Sequence, residues 1–307
     1  MVVLVTGASG FLGRAVAKSY LSDGAVVHVI GRDARTLRAL YGDRARIFTW
    51  DPAEGEFPER ALDGVDAVFH LMGEPVGGRW TKRKKSRIIT SRVTAAQMIG
   101  RAMSGRAARL ISASSFGIYP GKRGETYTEA SKIDGQARSF IRSTLRAWEN
   151  AALAASGGET KVSVIRFGMV CAPDGYPKRL VRLFGRVGGL IVGDGEQIVP
   201  LVDLDDAVRM MRWAAEGGAG EGIINCVSPN LPRFREVAET IAGVLRKPIR
   251  GTIPEWLARP LLGGSADYFL LSYDIRPVRA LEQGFTFAHD QPSDILRRAL
   301  APYAVRS

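Results

Sequence analysis

VVLVTGASGFLGRAVAKSYLSDG, residues 2–24, carries three signals in one stretch. The apolar run VVLV reads as a buried strand, TGASGFLG holds glycines at 7, 10 and 13, and the residues after it are apolar at helical spacing as far as Gly24. Strand, glycine turn and helix in that order make a phosphate cradle. Gly7 permits the tight turn, Gly10 lets the backbone approach a pyrophosphate, and Gly13 lets the helix lie close to the strand. The helix N-terminus offers N–H groups and positive dipole to the anion.

Working outward, VVHVIGRD (26–33) reads as a second strand, followed by a helix over 34–40, a strand over 47–50 and a short element near 58–63. AVFHLMG (67–73) reads as a buried strand. A long helix is expected from about Lys82 to Ser104, then the strand RLISAS (109–114), a polar loop (117–135), a helix (136–156) and the strand VSVIRFG (162–168). Strands alternating with helices imply a parallel sheet covered on both faces. The fold class expected is therefore α/β, a Rossmann-type doubly wound parallel sheet, with a small C-terminal α+β lobe. Residues 1–168, with 200–227 returning to them, form the dinucleotide-binding domain; 169–199 and 228–307 form the substrate lobe. Within the excursion, GGLIVGDGEQIVPLVD reads as hairpin-like, and a helix with an Asp-rich first turn follows it.

The chain has 307 residues, 46% of them hydrophobic, enough to bury a full core. It opens directly on an apolar run with no leader, and no stretch approaches 18 uninterrupted apolar residues, so no membrane partner and a cytoplasmic location are expected. Two cysteines, Cys171 and Cys226, are too few for a disulfide framework or a metal site. The net charge of +12 raises the question of a nucleic-acid partner, but the basic residues are mostly Arg spread along the chain, and none is expected. Of two local concentrations, RWTKRKKSR (79–87) reads as a solvated helix start. PKRLVRLFGR (177–186) reads either as a solvated face or as a site for an anionic substrate.

The end of the second strand bears on cofactor choice. A carboxylate there bonds the ribose 2′-OH of NAD, whereas an Arg accommodates the 2′-phosphate of NADP. This chain has Gly31 and Arg32, and Asp33 sits where it would cap the next helix, so NADPH is favoured over NADH. Asp51 is placed either to meet the adenine amino group or as a plain loop carboxylate. With Gly7, Ser9, Gly10, Phe11, Leu12 and Gly13 in the turn, Leu71, Met72 and Gly73 at the end of the fourth strand, and Arg92 on the long helix, these make up the expected cofactor-binding set.

Together these features resemble the extended short-chain dehydrogenase/reductase superfamily, in its nucleoside-diphosphate-sugar epimerase-like branch. HLMGEPVGGRWTKRKKSRIITSRV (70–93), ISASSFGIYPG (111–121), Trp148-Glu149, APDG (172–175), NCVSPN (225–230) and SYDIRPVRALEQGFTF (272–287) are similar to one atypical family of that branch, often labelled cell-division-inhibitor-like, with a small C-terminal domain of unknown function. The resemblance covers nearly the whole chain and leaves the substrate open. It implies an NADP-dependent oxidoreductase or epimerase-like enzyme. The Tyr-x-x-x-Lys pair of typical members falls at Ile141 and Leu145, so the pair is absent here, as it generally is in the atypical family. Tyr127 and Lys132, five apart in a loop, do not replace it: a spacing of five puts side chains ~140° apart around a helix.

Candidates remain at the nicotinamide end. The superfamily's hydroxyl, four residues before the Tyr of the strand end, falls at Ser115, with Ser114 beside it. Tyr119 is a nearby phenol, either a proton donor or a packing residue. Glu74 opens the loop expected over the nicotinamide, where an apolar site would raise its pKa. Arg79 and Trp80 on that loop, and Arg166 on the strand before the lobe, are the expected substrate-binding groups for a small, anionic ligand. Where the family has His-x-Asp-Asp, this chain has Asp203, Leu204, Asp205 and Asp206, the last two suited to the start of a helix. Loss of the Tyr–Lys pair keeps a second reading open, a non-catalytic NADP-binding sensor. As for assembly, AAQMIGRAM (95–103) offers small residues for a helix-mediated dimer while the basic helix start opposes one; a monomer or weak homodimer is expected.

Overall fold

The computed structural model describes residues 1–78, 80–133, 139–262 and 267–304. Strands and helices alternate through the first two thirds: β1 (Val2–Thr6), α1 (Phe11–Ser22), β2 (Val26–Gly31), α2 (Ala34–Tyr41), β3 (Arg46–Thr49), β4 (Ala67–His70), α3 (Lys82–Ile89), α4 (Ala95–Met103), β5 (Arg109–Ser115), β6 (Thr126–Tyr127), α5 (Phe140–Leu153) and β7 (Lys161–Phe167). Then come β8 (Met169–Cys171), α6 (Pro177–Val187), β9 (Gly189–Val192), β10 (Leu201–Asp203), α7 (Leu204–Ala215), β11 (Gly222–Cys226), α8 (Phe234–Val244) and β12 (Ile249–Ile253). The chain ends in α9 (Glu255–Leu262), α10 (Asp267–Leu270), β13 (Asp274–Ile275), α11 (Val278–Glu282) and α12 (Pro292–Leu300).

Seven strands form one parallel sheet in the order β11-β7-β5-β4-β1-β2-β3. The order reverses between β1 and β4, and in such sheets ligands bind at that switch point, beyond the carboxyl ends of the strands. The alternation within β1 sorts side chains to two faces. Val3 and Val5 face α1, meeting Val16 and Ala17. Leu4 turns the other way, with Val68, Leu110 and Val162, onto Ala95, Ile99 and Met103 of α4. Each such aliphatic side chain contributes about 1.5–3 kcal/mol when fully buried, so Ala95, Ala96, Ile99 and Met103 of AAQMIGRAM are committed to the core, while Met98 and Ala102 stay partly exposed.

The expected long helix over 82–104 is present but interrupted: α3 passes into α4 through a π turn at Thr90–Thr94. The hairpin expected over 189–203 does not form. β9 pairs in parallel with β12, and β10 in parallel with β8, because the backbone between them is otherwise engaged. Ile198 bridges to Arg233, and the Pro200 carbonyl accepts from Met169 N–H at 2.6 Å. Asp206, fully buried near the start of α7, accepts from the backbone N–H groups of Ala288 and His289 at 2.8 Å each and ties the C-terminal segment to the sheet domain. Cys171 and Cys226 are both buried free thiols, and burial pushes both pKa values up. No helix among the described residues is long and apolar enough to cross a membrane.

Candidate functional site

Gly7 has φ +67°, and a Cβ there would stand 2.8 Å from the Met72 backbone. A Cβ on Gly13 would come within 2.3 Å of the Gly7 carbonyl oxygen, so α1 can lie against the turn only with glycine there. The turn opens onto a cleft of about 610 Å³. Gly7, Ser9 and Gly10 line its floor, Gly31, Arg32 and Asp51 one end, and Leu71, Met72, Gly73 and Glu74 the other. Phe11, Leu12 and Gly13 form the start of α1 behind the turn rather than the cleft wall. A backbone cradle, a helix N-terminus and a cleft running from Gly31 and Arg32 to Gly73 fit a dinucleotide cofactor.

Asp33 caps α2, accepting from Arg35 N–H at 2.9 Å and from the Thr36 hydroxyl at 2.7 Å. These bonds, that from Thr36 first, hold its pKa below the usual value and keep the carboxylate at the helix start. Asp51 accepts from Ala53 N–H at 3.0 Å, which shapes its loop, while its side of the cleft stays open. The basic stretch before and in α3 is not simply solvated. Arg83, Ser86, Arg87 and Thr90, spaced to share one helix face, line the same cleft as Arg32. Their i, i+3, i+4, i+7 spacing is the signal in the sequence that could have found them.

Several expected site residues are differently employed. Glu74 is ion-paired to Lys84 at 2.9 Å and Arg87 at 3.0 Å. Burial alone would raise its pKa, but the Lys84 hydrogen bond and the charges of Arg87, Lys84 and Arg32 outweigh burial and hold it low. That is the reverse of the expected upward shift. Ser114 donates to Glu149 Oε1 at 2.6 Å, and Glu149 takes two further hydrogen bonds, 2.8 and 2.7 Å, from Arg166. Arg166 also donates to the Tyr119 hydroxyl at 2.9 Å, and that hydroxyl donates to Asn225 Oδ1 at 2.7 Å. Tyr119 has no exposed surface, and Arg166 is almost as deep. This buried network corrects three expectations at once: Ser114 and Tyr119 are sealed from substrate, and Arg166 has its charge spent on Glu149.

Ser115 ends β5 and remains partly exposed, its Oγ accepting from Gly117 N–H at 3.3 Å. Arg92 leaves the π turn and stacks over the Trp148 indole, 5.2 Å from its centroid, and donates to the Glu74 carbonyl at 3.0 Å. Its guanidinium lies 2.9 Å from where a Cβ on Gly73 would be, at the end of β4. Trp80 donates its indole N–H to the Val76 carbonyl at 2.7 Å and packs on Phe140, a partly exposed wall of the same loop. Arg79 lies outside the described residues. Arg179, from the second basic stretch, reaches Gly77 on that loop; its guanidinium is 3.1 Å from a Cβ position there. Ile141 and Leu145, at the positions of the missing pair, are both buried in the core.

Comparison with known proteins agrees with this architecture. Epimerase family protein YfhF of Bacillus subtilis is 26% identical over 304 residues, covering 98% of both chains. A chloroplastic homolog of epimerase family protein SDR39U1 from Arabidopsis thaliana is 28% identical, over 97% of this chain and 86% of the relative. Among solved structures, human epimerase family protein SDR39U1 with NADPH superposes with a TM-score of 0.84 at 23% identity, covering 98% of this chain and 99% of the other. UDP-glucuronic acid 4-epimerase from Bacillus cereus, in complex with UDP-glucuronic acid and NAD, gives 0.78 at 18% identity, covering 98% of both chains; these likenesses are of fold. The glycine turn, the switch-point cleft and, but for Val2, the seven-stranded sheet fall in residues 3–226, where the family model itself matches, and the chain belongs to the NAD dependent epimerase/dehydratase family.

Proposed function

We propose that this protein is an NADPH-dependent oxidoreductase or epimerase-like enzyme acting on a small anionic substrate. The observation that carries the cofactor preference is the strand end of β2: Arg32 follows Gly31 there and lines the cleft together with Arg83 and Arg87 of α3, while Asp33 is held as a helix cap. The Arg32 and Arg83 guanidinium groups favour a 2′-phosphate, and charge-assisted hydrogen bonds of this kind are the strong ones. Gly7, Ser9 and Gly10 would hold the pyrophosphate, and Gly73 would flank the nicotinamide half. The nicotinamide, when bound, supplies or accepts the hydride. Binding of NADPH by the human structural neighbour supports the same reading.

For the substrate, Trp80 bonds the Val76 carbonyl and Arg179 reaches Gly77, so an aromatic ring and a cation meet just beyond Glu74 of the cleft wall, a pairing suited to an anionic ligand. The sugar-nucleotide complexes of the neighbours belong to that chemical class. Burial of Ile141 and Leu145 favours the second reading, a cofactor-binding sensor without turnover, which a broad carbonyl panel with NADPH discriminates.

The test of the cofactor reading is calorimetry. NADPH is expected to bind more tightly than NADH, and Arg32→Ala to weaken NADPH selectively by roughly 1.5–3 kcal/mol. Equal affinities in the wild type would remove the preference.

A further inference from the structure

With Ile141 and Leu145 apolar and Tyr119 sealed, the ends of β4 and β5 lack the usual phenol and cation, yet the fold delivers one of each from elsewhere. Tyr268, on α10 of the C-terminal segment, packs edge-on against Phe116 with ring centroids 5.4 Å apart. Its hydroxyl oxygen lies 3.2 Å from where a Cβ on Gly117 would stand, which puts it at the end of β5, two residues beyond Ser115. Arg92 supplies the cation. It stacks over Trp148, three residues beyond Leu145 on α5, so a positive charge reaches the patch of α5 that a Lys at 145 would have served.

We propose that Tyr268, with Ser115 and Arg92, is the proton donor and acceptor of this enzyme, replacing from the C-terminal lobe the pair that α5 has lost. The inference rests on the cofactor reading above. In the reductive direction, hydride from the bound cofactor adds to the substrate carbonyl carbon. The Tyr268 O–H bond breaks, its proton goes to the carbonyl oxygen, and the electron pair stays on Tyr268 Oη. The product is the alcohol; the phenolate, opposite Arg92, regains its proton from water. Ser115 orients the reacting oxygen. The π turn at Thr90–Thr94 is part of the device, since it carries Arg92 at its centre, and the His70 Nε2–H, 3.3 Å away, donates to the Arg92 carbonyl.

The charges facing Tyr268 are Arg92 from the π turn and Asp267 from its own helix, with the titratable Tyr273 behind. Burial raises the Tyr268 pKa and Arg92 opposes that rise. The proposal can therefore be tested without a known substrate. In full-length protein labelled with 13Cζ-tyrosine, the line lost in Tyr268→Phe identifies Tyr268. Arg92→Leu is expected to raise its titration midpoint by about 1 pH unit, and Arg92→Lys to restore it. Saturating NADP+ is expected to move the same line, and Tyr268→Phe to leave the calorimetric NADPH affinity within about threefold while NADPH oxidation by 4-nitrobenzaldehyde falls by about 100-fold. A midpoint indifferent to Arg92→Leu, a line unmoved by bound NADP+, or an aldehyde reduction rate unchanged in Tyr268→Phe would each overturn the proposal. Failure of the wild type to bind NADPH at all would instead overturn the cofactor reading.

Discussion

Glu149 and Arg166 are 5% and 4% exposed at their side chains and are joined by two hydrogen bonds. A buried pair of this kind adds little over apolar residues, but removing one partner strands the other. Glu149→Leu is therefore expected to cost about 3–5 kcal/mol, and the double variant with Arg166→Leu to recover much of it, read from urea unfolding. An equal loss in both would show that packing rather than charge is at stake. His70 adds a pH signature. It is fully buried, and burial first, with the nearby Arg92 charge adding to it and the Arg92 carbonyl opposing, pushes its pKa down to about 4. Because the folded pKa lies below the unfolded value near ~6.5, the stability it contributes is complete above that pH and is lost as pH falls through about 4. The loss is on the order of 3 kcal/mol, and His70→Asn should flatten the stability slope between those limits. Equal slopes in the two proteins would refute the assignment. Both histidine and ion pair were visible as residue types in the sequence; their burial was not, because it depends on which helix covers β4 and β5.

At the scale of elements, α5 shows how a family feature became structural. Ile141 and Leu145 lie on its buried face with Thr144, Trp148 and Glu149, so the face that would have presented a Tyr and a Lys now packs inward. Restoring them by Ile141→Tyr with Leu145→Lys buries an ammonium without a partner, at a cost of several kcal/mol or forced neutralisation. The double variant is expected to melt earlier and to gain no turnover on any substrate the wild type accepts. A rise in both stability and rate would mean the site still has room for the pair. Helix α3 shows the opposite kind of reading: its charges suggested solvent alone, yet Arg83 and Arg87 share the face that lines the cleft while Lys84 and Arg87 hold Glu74. Periodicity of 3.6 marks which residues share a face but not what that face meets.

For the whole molecule, the C-terminal segment is fastened at points far apart in sequence. Asp206 holds Ala288 and His289, and Asn225 donates to the Arg276 carbonyl while accepting from Tyr119. Most of the apolar residues of α4 turn inward, and α3 presents Lys and Arg beside it, so light scattering at micromolar concentration is expected to give a mass near the 33.3 kDa of one chain. A tight dimer with the mutual approach of α4 and α5 at its centre would contradict this. The sequence alone determined the Rossmann-type α/β class, the glycine cradle, the Gly31-Arg32 strand end and the absence of the Tyr–Lys pair, because each depends on local spacing or on residue identity at one turn. The fates of Ser114, Tyr119, Glu74 and Arg166, the pairing of β9 with β12 instead of a hairpin, and the packing of Tyr268 on Phe116 at the end of β5 were decided only by the tertiary structure. Each joins positions from 10 to more than a hundred residues apart, and whether such a group meets solvent, a counter-charge or a closed core is set by packing, which no local pattern encodes.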